Sequence, residues 1–142
     1  MAPGRDGHPR VRMGDGRCRR ALGKQGEALA EATLEQRGYR VIARNWRCRE
    51  GELDLVARDG ADWVFVEVRT RQYGGGPAPE ESLTMVKRRR LLRLAEAFLG
   101  AYGLQDVAWR VDVVAVELDR SGRPLRLEIL PGAITAEGVD GG

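Results

Sequence analysis

The chain has one histidine in 142 residues, His8, and it stands in a stretch rich in glycine, arginine and proline that has little apolar surface to bury. Ser-His-Asp, Cys-His and zinc-histidine chemistries therefore have no histidine in the expected core to work with. Any hydrolysis must rest on carboxylates, a hard metal ion, and Arg or Lys. The two cysteines, Cys18 and Cys48, have neither metal-ligand spacing nor the number needed for a disulfide framework. No apolar run approaches the roughly 20 residues of a membrane span. The opening MAPGRDGHPRVRMGDGRCRR lacks the apolar segment of a secretory signal. No membrane association and a cytoplasmic location are expected.

The net charge of +3 is unevenly spread. Residues 1–20 carry six Arg and two Asp, leaving eighteen basic and nineteen acidic residues in 21–142. Affinity for nucleic acid must therefore come from the N-terminal stretch or from local clusters such as Arg44, Arg47 and Arg49, or Lys87 to Arg90.

Two runs carry the most information. ELDLVAR (52–58) and WVFVEVRTR (63–71) are rich in Val, Leu and aromatics and are separated by Asp59-Gly60-Ala61-Asp62, a β-hairpin pattern. Closing the turn at Asp59 and Asp62 makes paired positions sum to 121. Arg58 then lies opposite Trp63, Val56 opposite Phe65, Asp54 opposite Glu67 and Glu52 opposite Arg69. Like charges facing across a ladder destabilise it. Alternation puts Trp63, Phe65, Glu67, Arg69 and Arg71 on one face, with Val64, Val66, Val68 and Thr70 on the other. Both faces begin apolar, as in a strand covered on both sides. A carboxylate there shifts its pKa, pairs with a cation or binds a metal. Two readings follow: a hard oxygen site suited to Mg²⁺ or Mn²⁺, or carboxylates that serve only as structural partners of Arg69, Arg71 or Arg110.

The remaining elements follow from periodicity. A helix is expected over about 20–37, with Leu22, Gly26, Leu29, Ala30, Thr33 and Leu34 as its apolar stripe and Gly38 as its stop. Glu27 lies at the border of that stripe and is a candidate to reach into a cleft. A strand follows over 40–45, then the hairpin, a Gly/Pro loop over 72–82 and a second helix over about 83–102, with Lys87 opening its apolar stripe. Strands over 109–118 and 125–130 complete the order αβββαββ. This order describes one α/β domain over 20–131, with a mixed sheet flanked by helices. Residues 1–19 read as a disordered basic tail and 132–142 as a frayed C-terminal one.

Gly26-Glu27, Asn45, Gly51-Glu52-Leu53-Asp54, Phe65-Val66-Glu67-Val68-Arg69, Lys87 and Asp112 occur in an order that resembles the small, uncharacterised bacterial YraN-like proteins. Those proteins in turn resemble the restriction-endonuclease-like and Holliday-junction-resolvase-like PD-(D/E)xK nucleases. The resemblance implies a restriction-endonuclease-like fold and a Mg²⁺-dependent nuclease acting on structured or branched DNA. It implies Glu27, Asp54, Glu67 and Arg69 as catalytic residues, with Mg²⁺ or Mn²⁺ held by Asp54, Glu67 and the Val68 carbonyl. Arg71 and Lys87 are the expected nucleic-acid contacts, and a homodimer is the implied assembly. Arg69 stands where the signature has lysine. Arginine stays protonated and cannot act as a base, so a non-catalytic nucleic-acid-binding module, or a structural adaptor, is the alternative.

Overall fold

The computed structural model describes residues 14–74 and 76–136. Helix α1 (Gly14–Gln36) leads into strands β1 (Arg40–Cys48), β2 (Gly51–Asp59) and β3 (Asp62–Gln72). A 3-10 turn (Pro79–Ser82), helix α2 (Met85–Ala101), β4 (Trp109–Leu118) and β5 (Pro124–Ile134) follow. The order αβββαββ is the expected one, and a single five-stranded sheet of order β1-β2-β3-β4-β5 is flanked by two helices. Among described residues, no helix is long and apolar enough to cross a membrane.

Three boundaries differ from expectation. Helix α1 begins at Gly14 rather than near residue 20, so the tail read as disordered is helical over 14–19. Residues 1–13 lie outside the described ones. β1 continues to Cys48, held by the pairs Trp46↔Leu53 and Cys48↔Gly51. β5 runs to Ile134, which pairs with Val111, so the expected C-terminal tail shortens by three residues. Long-range pairing overrides the local Pro131-Gly132 signal, because proline and glycine are tolerated on an edge strand.

Each helix ends by the same device. Tyr39 N–H donates to Leu34 O and Gly38 N–H to Glu35 O, with Gly38 at φ 92°; Leu104 and Gly103 do the same to Leu99 and Gly100, with Gly103 at φ 64°. This is the Schellman arrangement, which satisfies the last carbonyls of the helix. At the start of α2, the Thr84 side chain accepts from Lys87 N–H at 3.2 Å. That cap fixes where Lys87 enters the first turn.

The sheet is covered on both faces. Ala30 and Leu34 of α1 pack on Leu55, Ala57, Val64, Val66, Val114, Val116 and Leu118. Leu91, Leu94, Ala95, Phe98 and Leu99 of α2 pack on Leu53, Val56, Phe65, Val111 and Val113. Burial on both faces explains why β3 and β4 read as nearly continuous apolar runs. β3 and β4 pair in parallel from Trp63↔Trp109 to Gln72↔Leu118, and α2 supplies the crossover that a parallel pair needs. Gly26 of α1 sits so close to β3 that a Cβ there would lie 1.9 Å from Thr70 Oγ1. The close approach brings α1, and Glu27 with it, down onto the sheet.

Candidate active site

The hairpin has the register read from its turn: Asp59↔Asp62, Arg58↔Trp63, Ala57↔Val64, Val56↔Phe65 and Leu55↔Val66. The ladder ends there. The expected pair Asp54 opposite Glu67 does not form as a ladder pair, because β2 stays with β1 while β3 stays with β4 and the two strands part. Asp54 fills the wedge. Its Oδ2 accepts from Val68 N–H at 2.8 Å, so a side chain takes the place of a β2 backbone acceptor. Leu53 and Val56, three residues apart, both pack in the layer against α2, which strict alternation forbids, so β2 turns over at Asp54 and Leu55.

Asp54 and Glu67 meet in this wedge, where the charge of Glu67 acts on Asp54. Two carboxylates brought together out of water favour a state that keeps one proton between them. Burial pushes Asp54 up to about 8, with Glu67 and Glu27 adding repulsion against the stabilising Val68 N–H. Burial also raises Glu67, opposed by the guanidinium of Arg69 and the ammonium of Lys87. Asp112 makes the contrast. It is fully buried, yet it takes Arg110 Nε at 3.0 Å, Tyr39 OH at 3.1 Å and Gly132 N–H at 2.8 Å. Asp112 is a satisfied structural acid, as its spacing from Arg110 suggests, whereas among the described residues Asp54 forms no ion pair.

Arg69 occupies the rim. One terminal nitrogen lies 3.2 Å from Glu67 Oε2, while Nε and the other donate to Ser82 Oγ at 3.0 and 2.6 Å. Ser82 Oγ in turn donates to Pro79 O at 2.6 Å. Ser82 carries no sequence signal beyond its place in a Gly/Pro loop, and the loop had to be folded back on β3 before its role was visible. Lys87 joins the site as expected. With Gly51, Glu52, Glu67, Arg69 and Arg90 it lines a pocket of about 190 Å³.

Other candidates lie elsewhere. Glu52 pairs with Arg47, at 3.5 Å, rather than with Arg69, because its strand is already committed to β1. Glu27 stands on the α1 side, near enough to act on Asp54, and accepts from Asn45 Nδ2 at 3.3 Å. Arg71 is half-buried and lies 3.5 Å from Glu117, its register partner on β4. Glu117 also meets Arg126 at 3.7 Å, and Arg126 binds Glu80 at 2.6 Å. Arg71, expected to reach for nucleic acid, takes a place in this network, which ties the 3-10 turn to β5.

The donor set bears on which ion the wedge suits. Asp54 and Glu67 offer carboxylate oxygens. The Val68 carbonyl points to the same side of β3 as its N–H, since the two groups of one strand residue face one neighbour; that side is where β2 has left. These are hard oxygens of the kind Mg²⁺ and Mn²⁺ prefer. Among described residues, no three Asp, Glu, His or Cys side chains converge on one point. A divalent ion would take two carboxylates and a carbonyl here, with water or substrate oxygens completing its shell.

A family model described as Uncharacterised protein family UPF0102 matches residues 26–116, a span that begins at Gly26 and includes Glu27, Asp54, Glu67, Arg69 and Lys87. The chain belongs to this family. A UPF0102 protein of Roseiflexus castenholzii is 46% identical over 117 residues, covering 82% of this chain and 94% of its own length. One of Moorella thermoacetica is 49% identical over 115 residues, covering 81% and 96%. One of Anaeromyxobacter dehalogenans is 47% identical over 128 residues, covering 90% and 94%. Among solved structures, SfsA of Pyrococcus furiosus in complex with Ca²⁺ is similar at 18% identity with a TM-score of 0.37, covering 79% of this chain and 62% of that one. A likeness of that degree bears on neither activity nor ligand.

Proposed function

We propose that this UPF0102 protein is a Mg²⁺-dependent phosphodiesterase that cleaves structured or branched DNA. The observation that carries the reading is the meeting of Asp54 and Glu67 where β2 departs from β3, with no guanidinium among the described residues paired to Asp54 and with Arg69 and Lys87 at the rim. Two buried acids forced to share a proton are costly to keep, and a cation that displaces the proton removes the cost. Mg²⁺ or Mn²⁺ held by Asp54, Glu67 and the Val68 carbonyl would polarise the phosphodiester and acidify the attacking water. Arg69 stays protonated and stabilises charge building on phosphate oxygens. Lys87 adds a second positive charge on the same side. Glu27, held by Asn45, sets the field on the far side of Asp54.

Incubation of the purified protein with junction, flap, duplex and single-stranded DNA in Mg²⁺ or Mn²⁺ tests the reading. Cleavage that Asp54→Ala and Glu67→Gln abolish supports it. Absence of cleavage on every substrate, with calorimetry showing no divalent ion bound, sinks it.

A second reading, a nucleic-acid-binding module without catalysis, is favoured by the engagement of Arg69 with Glu67 and Ser82, which leaves it less free to turn to a phosphate. It predicts salt-sensitive binding of equal affinity in EDTA and Mg²⁺.

A further inference from the structure

A second groove opens on the α1 side of the acid pair. Gly23, Lys24, Glu27, Asn45, Arg47 and Glu52 line it, and it encloses about 580 Å³. Glu52 also lines the smaller pocket that holds Glu67, Arg69, Lys87 and Arg90, so the two meet at this residue, two positions from Asp54. The two pockets are adjacent arms with Glu52 as their common wall. Arg69, Lys87 and Arg90 line one arm; Lys24 and Arg47 line the other, Arg47 being 78% exposed and only 3.5 Å from Glu52, a pair open enough to water to yield to a phosphate.

Two backbone features distinguish the second arm. Gly23 lies inside α1, where glycine is the poorest helix former after proline. Unlike Gly26, which makes room for Thr70, a Cβ at Gly23 would meet nothing within 4 Å. The missing side chain opens space toward the groove rather than toward a packing partner. Asn45 is the second. It holds φ 50° inside an edge strand, a region that L side chains rarely adopt, and a position where glycine would be free of strain. Its side chain binds Glu27 and lines the groove. Strain of this kind collects where a ligand is gripped.

We infer that this groove is a second phosphate-binding subsite, in which Lys24 and Arg47 hold the sugar-phosphate backbone of the nucleic-acid strand on the side of the acid pair opposite Lys87 and Arg90. The inference rests on the nuclease-like reading of the Asp54 and Glu67 site. The physical need is plain. A polyanion crossing buried carboxylates is repelled at the crossing, and phosphate contacts are what fix register and orientation. Cations on one side alone would leave the strand free to pivot away. Gly23 lets the backbone approach the helix closely, and Asn45 keeps Glu27 turned from the phosphates.

The test is fluorescence anisotropy with a labelled four-way DNA junction in EDTA, across a series of salt concentrations. Lys24→Ala/Arg47→Ala is expected to weaken binding and to lower the slope of log affinity against log salt by roughly one to two. Lys87→Ala/Arg90→Ala should do the same from the other arm. Arg37→Ala/Arg40→Ala removes equal charge from the opposite ends of α1 and β1 and should leave the slope nearly unchanged. Gly23→Leu fills the groove with a better helix former. It should weaken binding several-fold while the melting temperature holds or rises. A groove variant and a Gly23→Leu protein that both bind like wild type, with Lys87→Ala/Arg90→Ala still impaired, overturn the inference and leave the first reading standing. Equal losses from the Arg37 and Arg40 control also overturn it, since charge would then act without a site. Wild-type protein with no salt-dependent affinity overturns both.

Discussion

Val68 donates its backbone N–H to the side chain of Asp54 at 2.8 Å, in the wedge where the β2 and β3 ladder has already ended. One hydrogen bond thus does two things: it satisfies a strand that has lost its neighbour, and it draws a carboxylate down beside Glu67.

The first prediction concerns stability against function. Asp54→Asn keeps an oxygen for Val68 N–H and removes a charge that burial and Glu67 disfavour. It should raise stability at pH 8.5 by roughly 1–3 kcal/mol while abolishing cleavage. Urea denaturation of the two proteins checks it, and a less stable variant counts against the shared-proton description.

The pH dependence follows from the same shift. Asp54 moves from its ordinary 3.8 to about 8 on folding. The folded chain therefore binds more protons than the unfolded one between those values, and the contribution of this acid to stability falls as pH rises through that window. The advantage of Asp54→Asn over wild type should be small near pH 4 and widen steadily to pH 8 in EDTA. A difference that stays flat contradicts the assignment.

Arg69 offers a test of its departure from the signature. Arg69→Ala should lower cleavage by about 10²–10³-fold, the usual cost of losing one charge-stabilising donor. Arg69→Lys restores a group that exchanges protons and should cleave at least as fast as wild type above pH 8. Because lysine cannot reach Glu67 and also give Ser82 Oγ the two donors that Arg69 supplies, it should also destabilise the fold by about 1 kcal/mol.

The approach of α1 is tested at Gly26. Gly26→Ala places a methyl 1.9 Å from Thr70 Oγ1 and should cost about 1–3 kcal/mol despite the better helix propensity. Thr70→Ala in the same chain should recover part of that loss, a non-additivity that thermal melting resolves.

Asp112 and Asp62 both bind Arg110, but only Asp112 is fully buried. Asp112→Ala should cost about 3–5 kcal/mol by stripping Tyr39 and Gly132 of their partner. Asp62→Ala, at a side chain 42% exposed, should cost under about 1 kcal/mol. Chemical denaturation of the pair tells them apart.

How much of this was legible beforehand follows range. The turn Asp59-Gly60-Ala61-Asp62 specified the hairpin register down to Leu55 and Val66, because a short turn and a period of two leave few alternatives. Nothing in the two runs said where the ladder would stop. That point depends on β1 and β4, which compete for β2 and β3 from distant parts of the chain. For the same reason Arg71, on the expected face of β3, turned out to be engaged by Glu117 of β4, and Ser82 went unnoticed. Glu27 was read as a cleft residue from its place on a helix border, and it stands near Asp54, yet its partner Asn45 could not be read from local pattern.

By itself the sequence determined the element order, the two apolar faces and the supply of chemistry: acids and arginines, with no histidine among residues 9–142. Those are matters of periodicity, propensity and composition, which each segment carries locally. Only the tertiary structure decided which acids are buried side by side, which are paired with a guanidinium, and which cations line the pockets beside them. Burial and charge pairing are set by what other segments bring to a residue, and that is a property of the assembled sheet and the helices packed on it.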